Sequence, residues 1–330
     1  MYKVTVFSAK RYDKEYLIKS NRGNMLQFDF VHAHLSAETV MLAQHSDAIC
    51  IFVNDIADNE VLQQLAQFNI KIIALRCAGF NNVDINKAKS LGIKICRVPE
   101  YSPEAVAEHT VGLILTLSRK FHKAYNRVKE GNFSLDGLMG FNLHNRTVGL
   151  VGTGHIGLAT LKILAGFGCK LLCSDPTVNK DALALGATYL SLDELFQRSD
   201  IISLHCPLTN ETKHMVDTHA INQMKPGVVL INTSRGGLID TTALIDGLKQ
   251  KKIAQLGLDV YELESDLFFE DLSDTIIDDD IFQRLVTFPN VLITGHQGFF
   301  TEEALTTIAE TTVENLITLL AGQHSENQLV

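Results

Sequence analysis

Thr147-Val-Gly-Leu-Val-Gly-Thr-Gly-His-Ile-Gly157, with its continuation through Asp175, decides how this chain folds. The apolar run Thr147–Val151 reads as a strand and leads straight into G-x-G-x-x-G. In that pattern Gly152 permits a tight turn, Gly154 lets the backbone approach a pyrophosphate, and Gly157 lets helix and strand pack closely. The helix opening there offers unpaired N–H groups and its positive dipole end to the phosphates. A second apolar run, KLLCSD, ends in Asp175, about 20 residues on, where the fingerprint places an acidic side chain against the ribose hydroxyls. Asp175 repels a 2′-phosphate and no Arg follows in Pro176-Thr-Val-Asn179. The spacing therefore predicts NAD rather than NADP, against the plainer alternative of a turn residue before Pro176.

Outward from that segment, apolar runs alternate with helical patterns. Thr147–Val151, Lys170–Ser174, Ile201–His205, Val228–Asn232, Leu256–Val260 and Val291–Thr294 read as strands of one block. Lys3–Ser8, Leu26–Val31, Ala48–Val53, Lys71–Arg76 and Lys94–Val98 read as strands of another, with helices around Ala37–His45, Glu60–Phe68 and Asp84–Leu91. Such alternation predicts an α/β protein with parallel sheets covered on both faces. Between the blocks, Ser102-Pro103-Glu104 opens a long helix expected to run unbroken to a C-cap at Gly131. Ser191-Leu-Asp-Glu194 is a capping box, and Glu302–Leu320 is an amphipathic last helix.

At 330 residues, the chain is about twice the usual single-domain length, which predicts two domains. A formal net charge of −9 argues against nucleic-acid or anionic-membrane partners, which need a basic face. The N-terminus has no signal-peptide apolar core and no apolar stretch is long enough to span a bilayer, so a cytoplasmic protein is expected. Cys50, Cys77, Cys96, Cys169, Cys173 and Cys206 sit mostly inside strand-like runs and are expected as buried free thiols. None of them completes a zinc-ligand spacing, so no metal is expected.

Chemistry in open α/β sheets gathers beyond the carboxyl ends of strands. Three residues occupy such positions: Arg235 after VVLINTS, Glu264 after LGLDV, and His296 after VLITG. Hydride transfer to a keto acid needs an anchor for the substrate carboxylate, a proton donor to the developing alkoxide, and a group that keeps the donor charged near neutral pH. Arg, His and Glu suit those roles, although spacing alone does not bring them together. Taken singly, Arg235 reads equally as a surface charge, Glu264 as a solvated loop carboxylate and His296 as a structural histidine.

The whole chain resembles the D-2-hydroxyacid dehydrogenase family, and within it the lactate branch. The matching stretches are LRCAGFNNVD (75–84), RVPEYSPEAVAEH (97–109), GLVGTGHIG (149–157), SLHCPLT (203–209), NTSRGGLID (232–240), LDVYELE with DLFFED (258–271) and TGHQGFFTEEAL (294–305). The resemblance implies reversible, NAD-dependent reduction of pyruvate to D-lactate. It implies that Arg235 binds the keto-acid carboxylate and carbonyl, that His296 donates the proton, and that Glu264 holds the imidazole oriented and charged. It places substrate contacts at Ala78, Gly79, Tyr101 and Phe299. Cofactor contacts fall at His155, Ile156, Asp175, Cys206, Pro207, Thr212, Thr233, Ser234, Arg235 and Asp259. Ala78 stands where many relatives carry Val. A bulkier 2-keto acid such as phenylpyruvate is an alternative substrate, and a NAD-sensing corepressor-like role a remoter one. The resemblance further implies a Rossmann NAD-binding domain (101–298) inserted into a flavodoxin-like substrate domain (1–100 with 299–330), both doubly wound, with a cleft that closes on substrate. It also implies a homodimer or homotetramer paired through the NAD-binding domain.

Overall fold

The computed structural model describes residues 1–264 and 267–330. Asp266, the first residue of DLFFED, therefore lies outside the described residues. The chain divides into two compact units, Met1–Ser102 with Phe300–Val330, and Pro103–Phe299. Tyr101 thus belongs to the first unit and Phe299 ends the second.

Strands β1 (Tyr2–Val6), β2 (Leu26–Phe30), β3 (Ala48–Ile51), β4 (Ile72–Leu75) and β5 (Lys94–Cys96) form one sheet. Strands β6 (Thr147–Val151), β7 (Lys170–Ser174), β8 (Thr188–Tyr189), β9 (Ile201–Leu204), β10 (Val228–Asn232), β11 (Ile253–Leu258) and β12 (Val291–Ile293) form the other. The helices are α1 (Arg11–Ser20), α2 (Asn59–Gln67), α3 (Ile85–Leu91), α4 (Pro103–Arg119), α5 (Phe121–Lys129) and α6 (His155–Gly166). After them come α7 (Lys180–Ala184), α8 (Leu192–Arg198), α9 (Thr218–Gln223), α10 (Thr241–Lys249), α11 (Asp280–Val286) and α12 (Glu302–Leu320).

The first sheet runs β2-β1-β3-β4-β5, all parallel. This is the flavodoxin-like order expected. β3 and β4 are apolar throughout and buried at every residue, as strands covered on both faces must be. One cover is α12, whose Ala309, Val313, Leu316 and Leu319 share a core with Val4, Val6, Cys50, Ala74 and Cys96.

The second sheet runs β12-β11-β10-β9-β6-β7-β8, again all parallel. Read from β6 outward, this is the Rossmann order with one added edge strand. The order reverses between β6 and β9, which are neighbours, and ligands of such sheets bind at the carboxyl ends of the strands at this switch point. α4 packs on α6, β10 and β11.

Sequence and structure differ at the long helix. It is not continuous from Pro103 to Gly131: α4 ends at Arg119, Lys120 turns left-handed (φ +54°), and α5 begins at Phe121. The loop after α5 returns over this break. A Cβ on Gly140 would stand 2.0 Å from the Ser118 carbonyl oxygen, and Lys120 Nζ donates to the Gly137 carbonyl at 2.7 Å. Ala37–His45 is a single 3-10 turn, Val40–Ala43, rather than a helix. Among the described residues no helix is long and apolar enough to cross a membrane.

Candidate active site

The phosphate loop has the geometry its glycines dictate. Gly152 sits at φ +97°, and a Cβ there would lie 2.7 Å from the His205 carbonyl and the Cys206 amide. A Cβ on Gly157 would stand 2.2 Å from the Gly152 carbonyl oxygen, so the first turn of α6 rests directly on the loop. At Gly154 a Cβ would meet nothing within 4 Å, and no side chain caps the helix there. The open backbone at Gly154, at the start of α6, fits the approach of a pyrophosphate.

Asp175 follows β7 as expected. Its Oδ2 accepts from the Thr153 amide (2.7 Å) and hydroxyl (3.2 Å), and its Oδ1 from the Thr177 amide (2.8 Å). Tyr189 Oη donates to Thr153 Oγ1 at 2.8 Å, and Asn179 Nδ2 donates to the Thr153 carbonyl at 2.8 Å. Sequence reasoning missed this bracing of the carboxylate, because Thr153 occupies a variable position of the glycine pattern.

The β9 and β10 ends adjoin. Ser234 Oγ donates to the Cys206 carbonyl at 2.7 Å, and Thr233 Oγ1 lies 2.8 Å from Thr110 Oγ1 on α4. Pro207 accepts from Thr212 Oγ1 at 2.7 Å, closing the loop between them. Burial pushes the Cys206 thiol up to about 11, keeping it protonated and unreactive.

Beside it, burial lowers His205 to about 4, and its Nε2 lies 2.9 Å from Ser203 Oγ. The residue as a whole is half-buried, which limits the size of the effect. Unfolded, this ring takes up a proton near its ordinary 6.5, so between that value and about 4 the unfolded chain binds more protons than the folded one. Stability therefore falls as pH drops through that window, by of order 2 kcal/mol from this group. Urea midpoints at pH 7 and pH 4.5 should differ less in His205→Gln than in the unsubstituted protein. Equal differences would show that His205 is not the source.

Arg235, Glu264 and His296 follow β10, β11 and β12, three adjacent strands. The backbone at Arg235 presses on the loop of Glu264, since a Cβ on Gly236 would stand 2.0 Å from the Tyr261 carbonyl carbon. Arg235 is partly buried, its Nη1 donating to the Ser234 carbonyl at 2.7 Å. Glu264 Oε1 lies 2.8 Å from His296 Nδ1, and Oε2 accepts from the Tyr261 amide at 2.9 Å. A carboxylate only accepts, so Nδ1 carries the hydrogen, and Nε2 is the ring nitrogen that does not meet Glu264. The pair is largely buried, with side-chain exposures of 17% for His296 and 22% for Glu264, so its Coulomb attraction is weakly screened.

His296 itself is left-handed, at φ +53°. Phe269, at φ +70°, lays its ring 5.7 Å from the imidazole and 6.5 Å from Phe299. Two strained non-glycine residues in ring contact mark a site. The sequence reading had not singled out Phe269.

Asp259, expected as a cofactor contact, is 1% exposed and turned inward. It accepts from the amides of Gln297 (2.9 Å) and Gly298 (2.8 Å), and from the Thr294 hydroxyl. Burial alone would raise this carboxyl, but hydrogen bonds from His109 and Thr294, with the charges of His109 and His296, outweigh it and the net direction is down.

In the first unit, Ala78 and Gly79 follow β4. Arg97 Nη1 donates to the Ala78 carbonyl at 2.7 Å, and the Cys77 thiol donates to the Gly79 carbonyl at 3.3 Å. The Arg97 guanidinium lies over the Phe80 ring at 5.2 Å. Among the described residues no three His, Cys, Asp or Glu are grouped to hold a metal ion.

Residues 111–298 match the family described as D-isomer specific 2-hydroxyacid dehydrogenase, NAD binding domain. A 2-hydroxyacid dehydrogenase homolog of Haemophilus influenzae is 53% identical over 325 residues, covering 98% of each chain. The D-lactate dehydrogenase of Escherichia coli strain K12 is 52% identical over 328 residues, covering 99% of this chain and all of that one. Among solved structures, the apo form of D-lactate dehydrogenase from Escherichia coli superimposes with a TM-score of 0.90 at 49% identity, covering 99% of this chain and 100% of the other.

Proposed function

We propose that this chain, which belongs to the D-isomer specific 2-hydroxyacid dehydrogenase family, is an NAD-dependent D-lactate dehydrogenase whose chemistry is carried by Arg235, Glu264 and His296. The carrying observation is the Glu264–His296 contact of 2.8 Å at the ends of β11 and β12, beside Arg235 at the end of β10.

In the reaction, pyruvate, a hydride and a proton give D-lactate; NADH bound at the Gly152–Gly157 loop and Asp175 supplies the hydride. Arg235 holds the carboxylate through two parallel N–H bonds and polarises the carbonyl. His296 Nε2–H delivers its proton to the carbonyl oxygen as charge grows there. Glu264 favours the imidazolium by its charge and fixes the ring through Nδ1. Its second oxygen, bonded to the Tyr261 amide, keeps the carboxylate from rotating away. Ala78, Gly79, Tyr101 and Phe299 are assigned to the substrate, and Thr212 to the cofactor, on the family resemblance. We place the reaction in the cytoplasm.

Loss of NADH absorbance with pyruvate, followed by chiral separation of the product, tests the reading. L-lactate, or no turnover, overturns it. Glu264→Gln keeps the hydrogen bond but removes the charge that stabilises imidazolium. With the ring held less firmly through Nδ1, kcat for pyruvate reduction should fall by about 10-fold or more while NADH affinity stays within about twofold. An unchanged kcat would remove Glu264 from this role.

We further propose that two copies pair through the second unit. α5 exposes Phe121 (54%), Tyr125 (61%) and Val128 (54%) on one side, and the loop after it exposes Phe133, Leu135 and Met139 at 74–88%. An apolar patch of this extent marks an interaction surface. Sedimentation equilibrium should show an oligomer, dissociated by Tyr125→Glu combined with Leu135→Glu. An unchanged mass in the double variant would place the interface elsewhere.

A further inference from the structure

The turn Thr294–Gly298, which presents His296, is clamped from behind by a set of side chains with no part in the chemistry above. Asp259 accepts from both amides after His296, those of Gln297 and Gly298. It also accepts from Thr294 Oγ1, two residues before His296. One buried carboxylate therefore grips the turn on either side of the proton donor. The turn needs that grip, because His296 is left-handed and its amide donates back to the Thr294 carbonyl at 3.1 Å. A non-glycine residue keeps that conformation only where its surroundings over-determine it.

His109, on α4, completes the clamp. Its Nε2 stands 3.0 Å from Thr294 Oγ1 and 3.2 Å from Asp259 Oδ1. Asp259 can only accept, so Nε2 carries the hydrogen. That donation directs the single hydroxyl proton of Thr294 onto Asp259 rather than onto the Leu258 carbonyl, its other neighbour at 3.4 Å. Chains of this kind strengthen each member. The fit is close: a Cβ on Gly298 would lie 3.0 Å from Asp259 Oδ2 and 3.5 Å from His109 Cδ2.

We infer that His109 is a positioning residue for proton transfer, holding the His296 turn through Thr294 and Asp259. The inference rests on the reading of His296 as the proton donor. A misplacement of order 1 Å at the reacting atoms costs about 100-fold in rate, so loss of the clamp should appear in kcat. Substrate and cofactor affinity should change far less, because His109 acts through Thr294 and Asp259 behind the turn.

The experiment compares the full-length unsubstituted enzyme with His109→Ala and His109→Gln in steady-state pyruvate reduction. NADH affinity is read by fluorescence quenching, and Tm is measured alongside. Gln is the rescue variant because its amide N–H reaches about as far as imidazole Nε2. His109→Ala should lower kcat by about 10- to 100-fold, with NADH Kd within about twofold. His109→Gln should recover most of that loss. Thr294→Val keeps the side-chain shape and removes the hydroxyl, so it should lower kcat in the same way if His109→Ala fails to fold. A kcat within about twofold of the unsubstituted enzyme in His109→Ala overturns the inference, given the sensitivity of proton transfer to position. So does a His109→Gln as impaired as His109→Ala, or a common fall of kcat, NADH affinity and Tm. Absence of pyruvate reduction in the unsubstituted enzyme overturns the parent reading and this one together; the other outcomes touch this one alone.

Discussion

His296→Gln should lower kcat for pyruvate reduction by about 10²- to 10⁴-fold at every pH assayed, the contribution typical of a positioned general acid. Gln preserves much of the shape and can still donate a hydrogen bond toward Glu264, which loses its imidazole partner at 2.8 Å. What it cannot do is give up a proton to an alkoxide. NADH affinity should be nearly unchanged, because the phosphate loop and Asp175 lie on the other half of the sheet, around β6 and β7. Stopped-flow reduction under single-turnover conditions is the measurement, since it separates chemistry from product release. A variant that retains more than about a tenth of kcat would exclude His296 as the acid, because a general acid contributes at least tenfold more than that.

Arg235→Lys should cost nearly as much by a different route. Lys keeps the positive charge but replaces a rigid planar fork with a single flexible ammonium. Two parallel bonds to the carboxylate become one, and the carbonyl is no longer held at a fixed angle to His296. We expect kcat/KM for pyruvate to fall by about 10²- to 10³-fold, equivalent to roughly 3–4 kcal/mol of transition-state binding. Both a higher KM and a lower kcat should contribute, because the carboxylate is held in the ground state and the carbonyl is steered in the transition state. NADH affinity is the internal control. If kcat/KM stays within about threefold, the paired-bond geometry assigned to Arg235 is wrong.

Much of this site could be read from the sequence because its parts are local in the chain. The glycine loop and Asp175 carry fixed spacings, and β3, β4 and β10 are buried throughout, so they read as apolar runs, broken only by Asn232 at the end of β10. The order of both sheets also followed from strand–helix alternation together with the family resemblance. What escaped the reading depends on contacts between distant residues. Ser118-Arg-Lys-Phe121 is a good helical sequence, and only the return of Gly140 onto the Ser118 carbonyl shows why the helix breaks at Lys120. α1 buries only Leu17, so it lacks an apolar stripe and left no pattern to find. The inward turn of Asp259 joins residues 109, 259, 294, 297 and 298, and no spacing announces it. Phe269 escaped for the same reason: its significance lies in facing His296, 27 positions later in the chain.

The discontinuity of the first unit has a consequence for how the protein is made. Its sheet is complete once residue 102 has left the ribosome, yet α12, which covers Val4, Val6, Cys50 and Ala74, comes from the last thirty residues. About 200 intervening residues must be synthesised first, which at 5–20 residues per second takes roughly 10–40 s. Throughout that interval the part of the sheet that α12 covers stays open, with only α1 beside it, while the second unit, continuous in sequence, can already fold. The nascent chain should therefore be a client of ribosome-associated chaperones. Its yield should depend on them, and on temperature during translation, more steeply than the stability of the finished enzyme would suggest.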